Sequence, residues 1–403
     1  NVDALYGQAE IHFINAEKTN EKSGPADAKE NYLKSIDLNN KATNCDPKCF
    51  RAYYMEGLAQ NKVGEHEAAA MTFAGAISSN PFNYQVLIER GNTFFGLKKF
   101  EEAIKDYSAT LQLLSANDNS TSKDTVKDNK IREANINLLL GEALYYNAYI
   151  YNKSSYDDAR ETLTKAIKLN EDNAEANYYM GLTYYAESDM PAAKNDYFSK
   201  ANSYLDEAID KNGTDYRYFY QRARTHDKRK KFADAIKDYT KVLDLDKLNL
   251  GKDTRYLRGL CYFRKKLTKE ALDDFKLYKS DPNAETDTSF YADYSFVLLC
   301  SNQDLLAFNT LSKVMGAGPY HPKVSFALAC YYYAKDDQLK STATAQLKLA
   351  DDLLEKAFAS KKLSKDDLKF MKDVFIKRLN PNNGSYERLD KRFTALIKDY
   401  HNF

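Results

Sequence analysis

The sequence predicts an all-α protein built from stacked helix pairs, and three observations support this fold class. Helix-breaking residues are scarce, because 403 residues contain only 8 prolines and 15 glycines, well below average usage. Apolar side chains within residues 100–114 recur at the three- and four-residue spacing of one helix face. Small and aromatic residues recur at a regular interval, such as the step of 34 residues from Gly57 to Gly91. A repeat of this length is typical of repeat proteins.

The composition excludes several classes of protein. With 59 Lys and Arg against 58 Asp and Glu, the formal net charge is +1, so the chain does not bind nucleic acid or anionic lipid through bulk charge. A hydrophobic content of 43% is too high for a disordered chain. The longest apolar stretch, residues 136–151, contains Glu142, whereas a membrane span needs about 20 nearly uncharged residues. We therefore predict no membrane span.

The five cysteines are too few for a disulfide scaffold in a chain of this length. Cys45 and Cys49 form the one close pair, which permits a local disulfide or half of a metal site, but no His or further Cys lies near. We expect no metal and no cofactor. The cysteine usage favours the cytoplasm, while the close pair permits a periplasmic or lumenal compartment. Because the chain starts at Asn1 rather than Met, we expect a trimmed or processed N-terminus.

The repeat becomes visible when small residues are aligned. Gly57 is followed at fixed distances by Ala69, Phe73, Ala76 and Pro81. Further copies of the pattern keep the same distances: Gly91, Ala103, Tyr107; Gly181, Ala193, Tyr197; Ala223, Ala235, Tyr239; and Gly259, Ala271, Phe275. Small residues let two antiparallel helices approach closely, and the aromatic residue fills the space beside them. A helix pair this short must stack on its neighbours to bury its apolar face.

This pattern resembles the tetratricopeptide repeat (TPR), and the best copy, residues 50–83, carries Tyr53, Gly57, Ala69 and Phe73 at that family's offsets. The resemblance implies a right-handed superhelical α-solenoid of about nine TPR-like helix hairpins with C-terminal closing helices. The expected organisation along the chain is a degenerate first repeat (1–48), two regular repeats (49–115), a polar loop (116–133), four repeats of which two carry insertions (134–282), degenerate repeats (283–360) and closing helices (361–403).

Two repeats depart from the regular spacing. In the fourth, Gly141 is followed by Ala159 six residues late, so we expect an insertion near residues 149–155. In the fifth, Ala193 with Tyr197 and Ala201 with Leu205 and Ala208 both fit the second helix, which predicts one extended helix. Ser364 is a plausible N-cap for the first closing helix.

No catalytic signature is present. The sequence has no Gly-rich phosphate loop, nucleophile elbow, H-E-x-x-H or C-x-x-C motif. The five histidines are scattered, and acidic pairs such as Asp157 with Asp158 are more simply solvated helix faces than acid–base pairs. We therefore expect a protein that is not an enzyme.

The resemblance points to a binding groove, because the first helices of TPR hairpins line the concave face. Tyrosine suits such a groove, since it offers a large apolar face and one hydroxyl group. The other interpretation is that tyrosine only replaces Phe and Trp in packing. Carried onto this sequence, the groove positions include Tyr54, Asn92, Phe95, Tyr145, Tyr178, Tyr185, Tyr220, Arg224, Tyr256 and Phe263.

Basic residues concentrate between residues 217 and 266. They would form a patch for an acidic or phosphorylated peptide, although ordinary solvated charge is the other interpretation. The members of the predicted patch are Arg217, Arg222, Lys228, Arg229, Arg255, Arg258 and Arg264.

The carboxylate clamp with which some TPR proteins hold heat-shock chaperone tails is incomplete in this sequence. Asn92 matches one element, but Ile88 replaces the required lysine, and Asp253 and Leu257 stand where cations are needed. Binding of chaperone tails is therefore disfavoured.

The sequence thus predicts a non-enzymatic scaffold or adaptor that binds protein or peptide partners through its groove and organises a multiprotein complex. Two other interpretations stay open. The chain could be a structural subunit of a large secretion, envelope or cytoskeletal assembly, or a regulatory repeat fragment of a larger enzyme.

Overall fold

The computed structural model describes residues 1–116, 123–151, 155–188, 190, 196–248, 251, 253–314, 321–339, 344–360, 363–379 and 384–398. Within these ranges the chain forms twenty α-helices and one short 3-10 helix, with no strand, which confirms the all-α prediction. The helices divide into two compact units, an N-terminal unit of residues 1–214 and a C-terminal unit of residues 215–403.

The N-terminal unit consists of five helix hairpins, each made of consecutive helices packed against each other. Successive hairpins also contact one another, as the stacking argument requires. Their helices are α1 (Val2–Ser23), α2 (Pro25–Cys45), α3 (Phe50–Val63), α4 (His66–Ser79), α5 (Tyr84–Gly96), α6 (Phe100–Ala116), α7 (Lys123–Ile150), α8 (Asp157–Leu169), α9 (Ala174–Ser188) and α10 (Tyr197–Lys211).

The C-terminal unit contains four hairpins followed by two closing helices. A 3-10 turn, Pro282–Ala284, joins its second and third hairpins. The helices are α11 (Tyr216–Lys228), α12 (Phe232–Leu245), α13 (Thr254–Arg264), α14 (Thr268–Lys279), α15 (Thr288–Cys300), α16 (Asp304–Leu311), α17 (Pro322–Leu339), α18 (Thr344–Ala359), α19 (Lys365–Ile376) and α20 (Gly384–Lys398). Ser364 caps α19, since its Oγ accepts a hydrogen bond from the Asp367 amide at 3.1 Å, as the sequence predicted.

Close approach within each hairpin depends on a small residue in the first helix. A Cβ atom added to Gly57 would lie 2.6 Å from a ring carbon of Phe73, and one added to Gly91 would lie 2.7 Å from the ring of Tyr107. Both aromatic side chains are fully buried. The ring on the second helix therefore rests directly on the backbone of the first helix, and no larger side chain fits there.

The turn inside five of the described hairpins marks the repeat register. Seven residues after the small position, the backbone enters the left-handed region at Gly64, Lys98, Lys230 and Lys266. Asn302 has the same conformation, with φ 59°, and so identifies a further copy.

Counting back seven residues from Asn302 gives Ser295 as the small position of the eighth repeat. Ala307 and Leu311 follow at the distances of the regular repeats, and all three are buried. The same distances join Ala16, Ala28 and Tyr32 in the first repeat, and these too are buried. The first and eighth repeats thus keep the packing register of the regular repeats, the eighth with Ser295 and Leu311 in place of the usual small and aromatic residues.

The fourth and fifth repeats carry their extra residues between helices. In the fourth, α7 ends at Ile150 and α8 begins at Asp157, around the predicted insertion. In the fifth, a Cβ on Gly181 would lie 2.9 Å from Leu205, so the second of the two registers is the one that packs. Ala193 lies outside the described residues. The described part of this second helix, α10, is no longer than the first helix of the same hairpin, α9, so the predicted extended helix is not observed there.

The predicted polar loop, residues 116–133, is helical from Lys123 onwards, and that part of the prediction is wrong; residues 117–122 lie outside the described ranges. The segment is polar but rich in Lys, Arg and Glu, which are good helix formers. Arg132 also packs over the ring of Tyr84 at 5.5 Å. Polar residues are common in both solvated helices and solvated loops, so polarity alone does not distinguish a helix from a loop here.

No described helix is long and apolar enough to cross a membrane. All five cysteines are free thiols, including Cys45 and Cys49.

Candidate functional site

The first helices of successive hairpins in the N-terminal unit contact one another, α3 with α5 and α7 with α9. Their outward side chains form a surface that we call the N-unit face. It contains the predicted groove residues Tyr54, Asn92, Phe95, Tyr178 and Tyr185, all of which are exposed or half-buried. The half-buried apolar residues Leu58, Ile88 and Leu138 lie on the same helices.

Neighbouring rings and hydrogen bonds hold these side chains in place. Tyr54 packs against Phe50 and Phe73, with ring centroids 6.1 and 6.2 Å away. The amide oxygen of Asn92 accepts a hydrogen bond from the Tyr107 hydroxyl at 2.8 Å, which leaves its NH2 group able to donate to a ligand. The N-unit face is therefore preorganised before any partner arrives.

Tyr145 does not belong to this surface. Its side chain is 8% exposed and lies among the rings of Tyr146, Tyr156 and Tyr179. The groove prediction fails for Tyr145 because rings of its own hairpin, Tyr146 and Tyr156, and Tyr179 of the next hairpin cover it.

Carboxylates accompany the tyrosines of the N-unit face, a feature that the sequence analysis missed. Glu89 accepts a hydrogen bond from Gln85 at 3.1 Å, and Glu142 accepts one from the Tyr179 hydroxyl. Burial and then the charge of Glu142 raise the pKa of both Tyr107 and Tyr179. Burial and then the charge of Glu89 raise the pKa of Tyr54. The tyrosines thus stay protonated beside negative charge.

In the C-terminal unit most of the corresponding residues are buried or contact other side chains. The Tyr220 hydroxyl donates to Asp253 at 2.7 Å, and the Arg224 guanidinium lies 5.9 Å from the Tyr220 ring centre. Tyr256 and Phe263 are 7% and 5% exposed. The groove prediction is wrong for these two buried residues.

The closing helix α19 explains part of this burial. Phe370 of α19 packs edge-on against Phe263 at 5.5 Å, and Asp367 pairs with Arg264. Asp366 pairs with Lys230. A helix of the chain itself therefore contacts the first-helix side of this unit, where the resemblance had predicted a partner.

The predicted basic patch is largely a set of internal ion pairs. Arg222 makes two hydrogen bonds to Asp238, at 2.8 and 2.7 Å. Arg258 makes the same pair with Asp274, at the same distances. Each pair joins the two helices of one hairpin, so these arginines brace the fold. The N-terminal unit has an equivalent pair, Arg90 with Asp106.

The other predicted members of the basic patch differ in their partners and in their exposure. Arg217 pairs with Asp215 at 2.6 Å, and Arg264 pairs with α19. Lys228 is exposed, while Arg229 and Arg255 are half-buried. The sequence signal for the bracing pairs was available, because each arginine directly precedes the small residue of its repeat and each aspartate directly precedes the aromatic residue of the second helix.

Two open cavities lie in the C-terminal unit. One, of about 530 Å³, is lined by Arg255 with Asp246, Leu277 and Tyr278 among others. The other, also about 530 Å³, is lined by paired charges on α18 and α20. Within the described residues, no three His, Cys, Asp or Glu side chains are grouped so as to hold a metal ion.

Stacked helix hairpins with a small residue facing an aromatic one define this chain as a helical repeat protein. Family comparison gives the repeat type: the tetratricopeptide repeat matches residues 54–118 and 220–285, and the TPR repeat matches residues 149–187. The chain therefore contains tetratricopeptide repeats in these three segments.

Solved structures of similar fold include several repeat proteins. PilW, a type IV pilus biogenesis factor, is 15% identical with a TM-score of 0.45 and covers 58% of this chain and 93% of its own. A tetratricopeptide repeat protein from Parabacteroides merdae is 16% identical with a TM-score of 0.44, covering 68% and 94%. PilF of Pseudomonas aeruginosa is 16% identical with a TM-score of 0.40, covering 61% and 93%. These likenesses are too distant to carry an argument about function. Comparison with curated protein sequences gave no match.

Proposed function

We propose that the protein is a non-enzymatic scaffold that binds a polypeptide segment of a partner on the N-unit face and so organises a multiprotein complex. The observation that supports this proposal is the row of half-buried aromatic side chains on α3, α5 and α9. Tyr54, Phe95, Tyr178 and Tyr185 are each half-buried on these helices.

The chemistry of the N-unit face suits a peptide. Half-exposed tyrosine rings supply apolar area at low rotamer cost. The exposed amides of Asn92 and Asn135 can pair with the peptide groups of an extended segment. An amphipathic helix would instead use the apolar stripe of Leu58, Ile88 and Leu138.

Site-directed photo-crosslinking tests this proposal. A photoreactive benzoylphenylalanine replaces Asn92, which is exposed on the N-unit face. The matched control places the same group at Met71, on the second helix α4, where the side chain is 78% exposed. We expect a discrete adduct with a co-purifying protein from position 92 and none from position 71. Adducts from position 71 alone would show that the face is not the binding site.

One observation favours the second candidate, a structural subunit of a large assembly. Large apolar side chains are exposed away from the first helices, including Met71 and, 75% exposed, Phe82. Such side chains can seat fixed neighbours. Adducts from both positions 71 and 92, always with the same set of proteins, would support this candidate over a transient adaptor.

A further inference from the structure

The near-neutral chain conceals two oppositely charged units. Residues 1–214 contain 32 acidic and 23 basic side chains, a formal charge of −9, whereas residues 215–403 contain 26 acidic and 36 basic ones, a formal charge of +10. The excess on each unit exceeds the charge of the whole chain many times over. Fields of this size steer a charged ligand to one unit and repel it from the other.

The negative charge of the N-terminal unit extends onto its binding surface. Glu89 lies one helical turn from both Gln85 and Asn92 on α5, and it is half-buried. Glu142 on α7 and Glu175 on α9 are also half-buried. The charges of Glu142 and Glu175 both act on Tyr179, and those of Glu89 and Glu142 both act on Tyr107. The charge of Glu89 also acts on Tyr54, and Glu175 lies one helical turn before Tyr178 on α9. The three carboxylates therefore lie on the same first helices as the N-unit face.

We propose that the segment bound on the N-unit face is basic, with Lys or Arg side chains that meet Glu89, Glu142 and Glu175 between apolar residues that meet the tyrosines. This inference rests on the proposed function. It also replaces the acidic segment that the sequence had suggested.

Two properties of the surface favour a cation. Tyrosine rings attract ammonium and guanidinium groups through the negative charge of the ring face, and a nearby carboxylate adds an ion pair to the same side chain. An acidic segment would meet three like charges, which costs affinity.

A second copy of the chain is a less suitable source of the basic segment. The lysine-rich turn at residues 228–231 and the turn after α13 are two basic turns of the C-terminal unit. Lys230 in the first pairs with Asp366, and Arg264 before the second pairs with Asp367. Binding of a segment from another protein does not require either of these ion pairs to break.

The test selects peptides from a random phage-displayed library on the full chain. We expect enrichment of Lys and Arg over the input library. For a selected peptide made synthetically, the variant E89Q/E142Q/E175Q should bind about tenfold more weakly, because three partly exposed ion pairs are lost. The control E101Q/E102Q/E207Q changes the net charge equally at exposed sites on second helices and should bind as the wild type. Raising the salt concentration should weaken wild-type binding more than binding to the triple variant.

The outcomes separate the two proposals. Selected peptides whose binding depends on Tyr54 and Tyr178 but that contain no excess of Lys and Arg would overturn this inference and leave the proposed function standing. Peptides that bind E89Q/E142Q/E175Q as tightly as the wild type would do the same. Peptides that bind equally well after Tyr54→Ala and Tyr178→Ala would overturn the binding face itself. If sedimentation shows that the free chain self-associates at low salt and that E89Q/E142Q/E175Q abolishes this, the occupant is a second copy and the inference is wrong.

Discussion

The N-terminal and C-terminal units are built from the same hairpin, yet they use the first-helix side differently. In the N-terminal unit this surface is acidic and keeps Tyr54 and Tyr178 partly uncovered. In the C-terminal unit Phe263 lies under α19, and Arg264 is paired with Asp367 of the same helix. The difference shows that a repeat position alone does not decide whether a side chain is exposed, because that depends on what packs over the position.

The largest expected effect on stability comes from a large side chain placed between the two closely packed helices of one hairpin. Gly259→Leu places a side chain into the ring of Phe275, which is fully buried, and should cost about 3 kcal/mol. Hydrogen exchange followed by mass spectrometry should show faster exchange in residues 215–403 with little change in residues 1–214. The control is Gly7→Ala, where an added Cβ meets no atom within 4 Å. Equal loss of protection in both units would mean that they do not unfold separately.

The bracing ion pairs should matter alike in both units, whereas the contact of α19 with Lys230 should not. Asp274→Ala leaves Arg258, 15% exposed, without its carboxylate, and should lower the free energy of unfolding by about 2 to 3 kcal/mol. Asp106→Ala should do the same for Arg90 in the N-terminal unit. Asp366→Ala breaks a pair whose side chains are 64% and 69% exposed and should leave stability unchanged. Urea unfolding measures all three, and a loss for Asp366→Ala as large as for Asp274→Ala would contradict this ranking.

A smaller, pH-dependent effect should be confined to the N-terminal unit. Burial raises the pKa of Glu56 to about 7, and Gln60 donates a hydrogen bond to it at 3.2 Å. A raised carboxyl pKa means that the folded state holds a proton that the unfolded state has released. Stability should therefore fall as the pH rises from about 5 to 7, by roughly 2 kcal/mol.

Glu56→Gln should remove this pH dependence, because glutamine does not titrate. Hydrogen exchange in α2 and α3 of the wild type and the variant, measured across that pH range, tests this expectation. Parallel pH profiles for wild type and variant would show that Glu56 does not cause the effect.

The sequence predicted most of the fold because the packing rule is local. Gly57 and Phe73 lie in one hairpin, so their distance along the chain is enough to define the register. The eighth repeat was predicted as degenerate because Ser295 is neither Gly nor Ala, and only the left-handed turn at Asn302 reveals its register.

The site was less predictable because burial depends on distant segments. Tyr256 occupies the same repeat position as Tyr54, but its hydroxyl donates to Asp293 at 2.5 Å on a later helix. Phe263 is covered by Phe370 of α19, six α-helices further along the chain than α13, which holds Phe263. The arginines appeared as a basic excess because their aspartates stand on the second helix of each hairpin, outside any short window of sequence.

The left-handed turns have a consequence for engineering. Three of the five hold lysine, at φ angles of 58°, 60° and 63°, a conformation that costs a residue with a side chain about 1 kcal/mol and glycine almost nothing. Lys98 and Lys266 are exposed, so exchanging them for glycine sacrifices no buried contact. These two exchanges should therefore raise thermal stability without altering the interior, and each removes one positive charge from its unit.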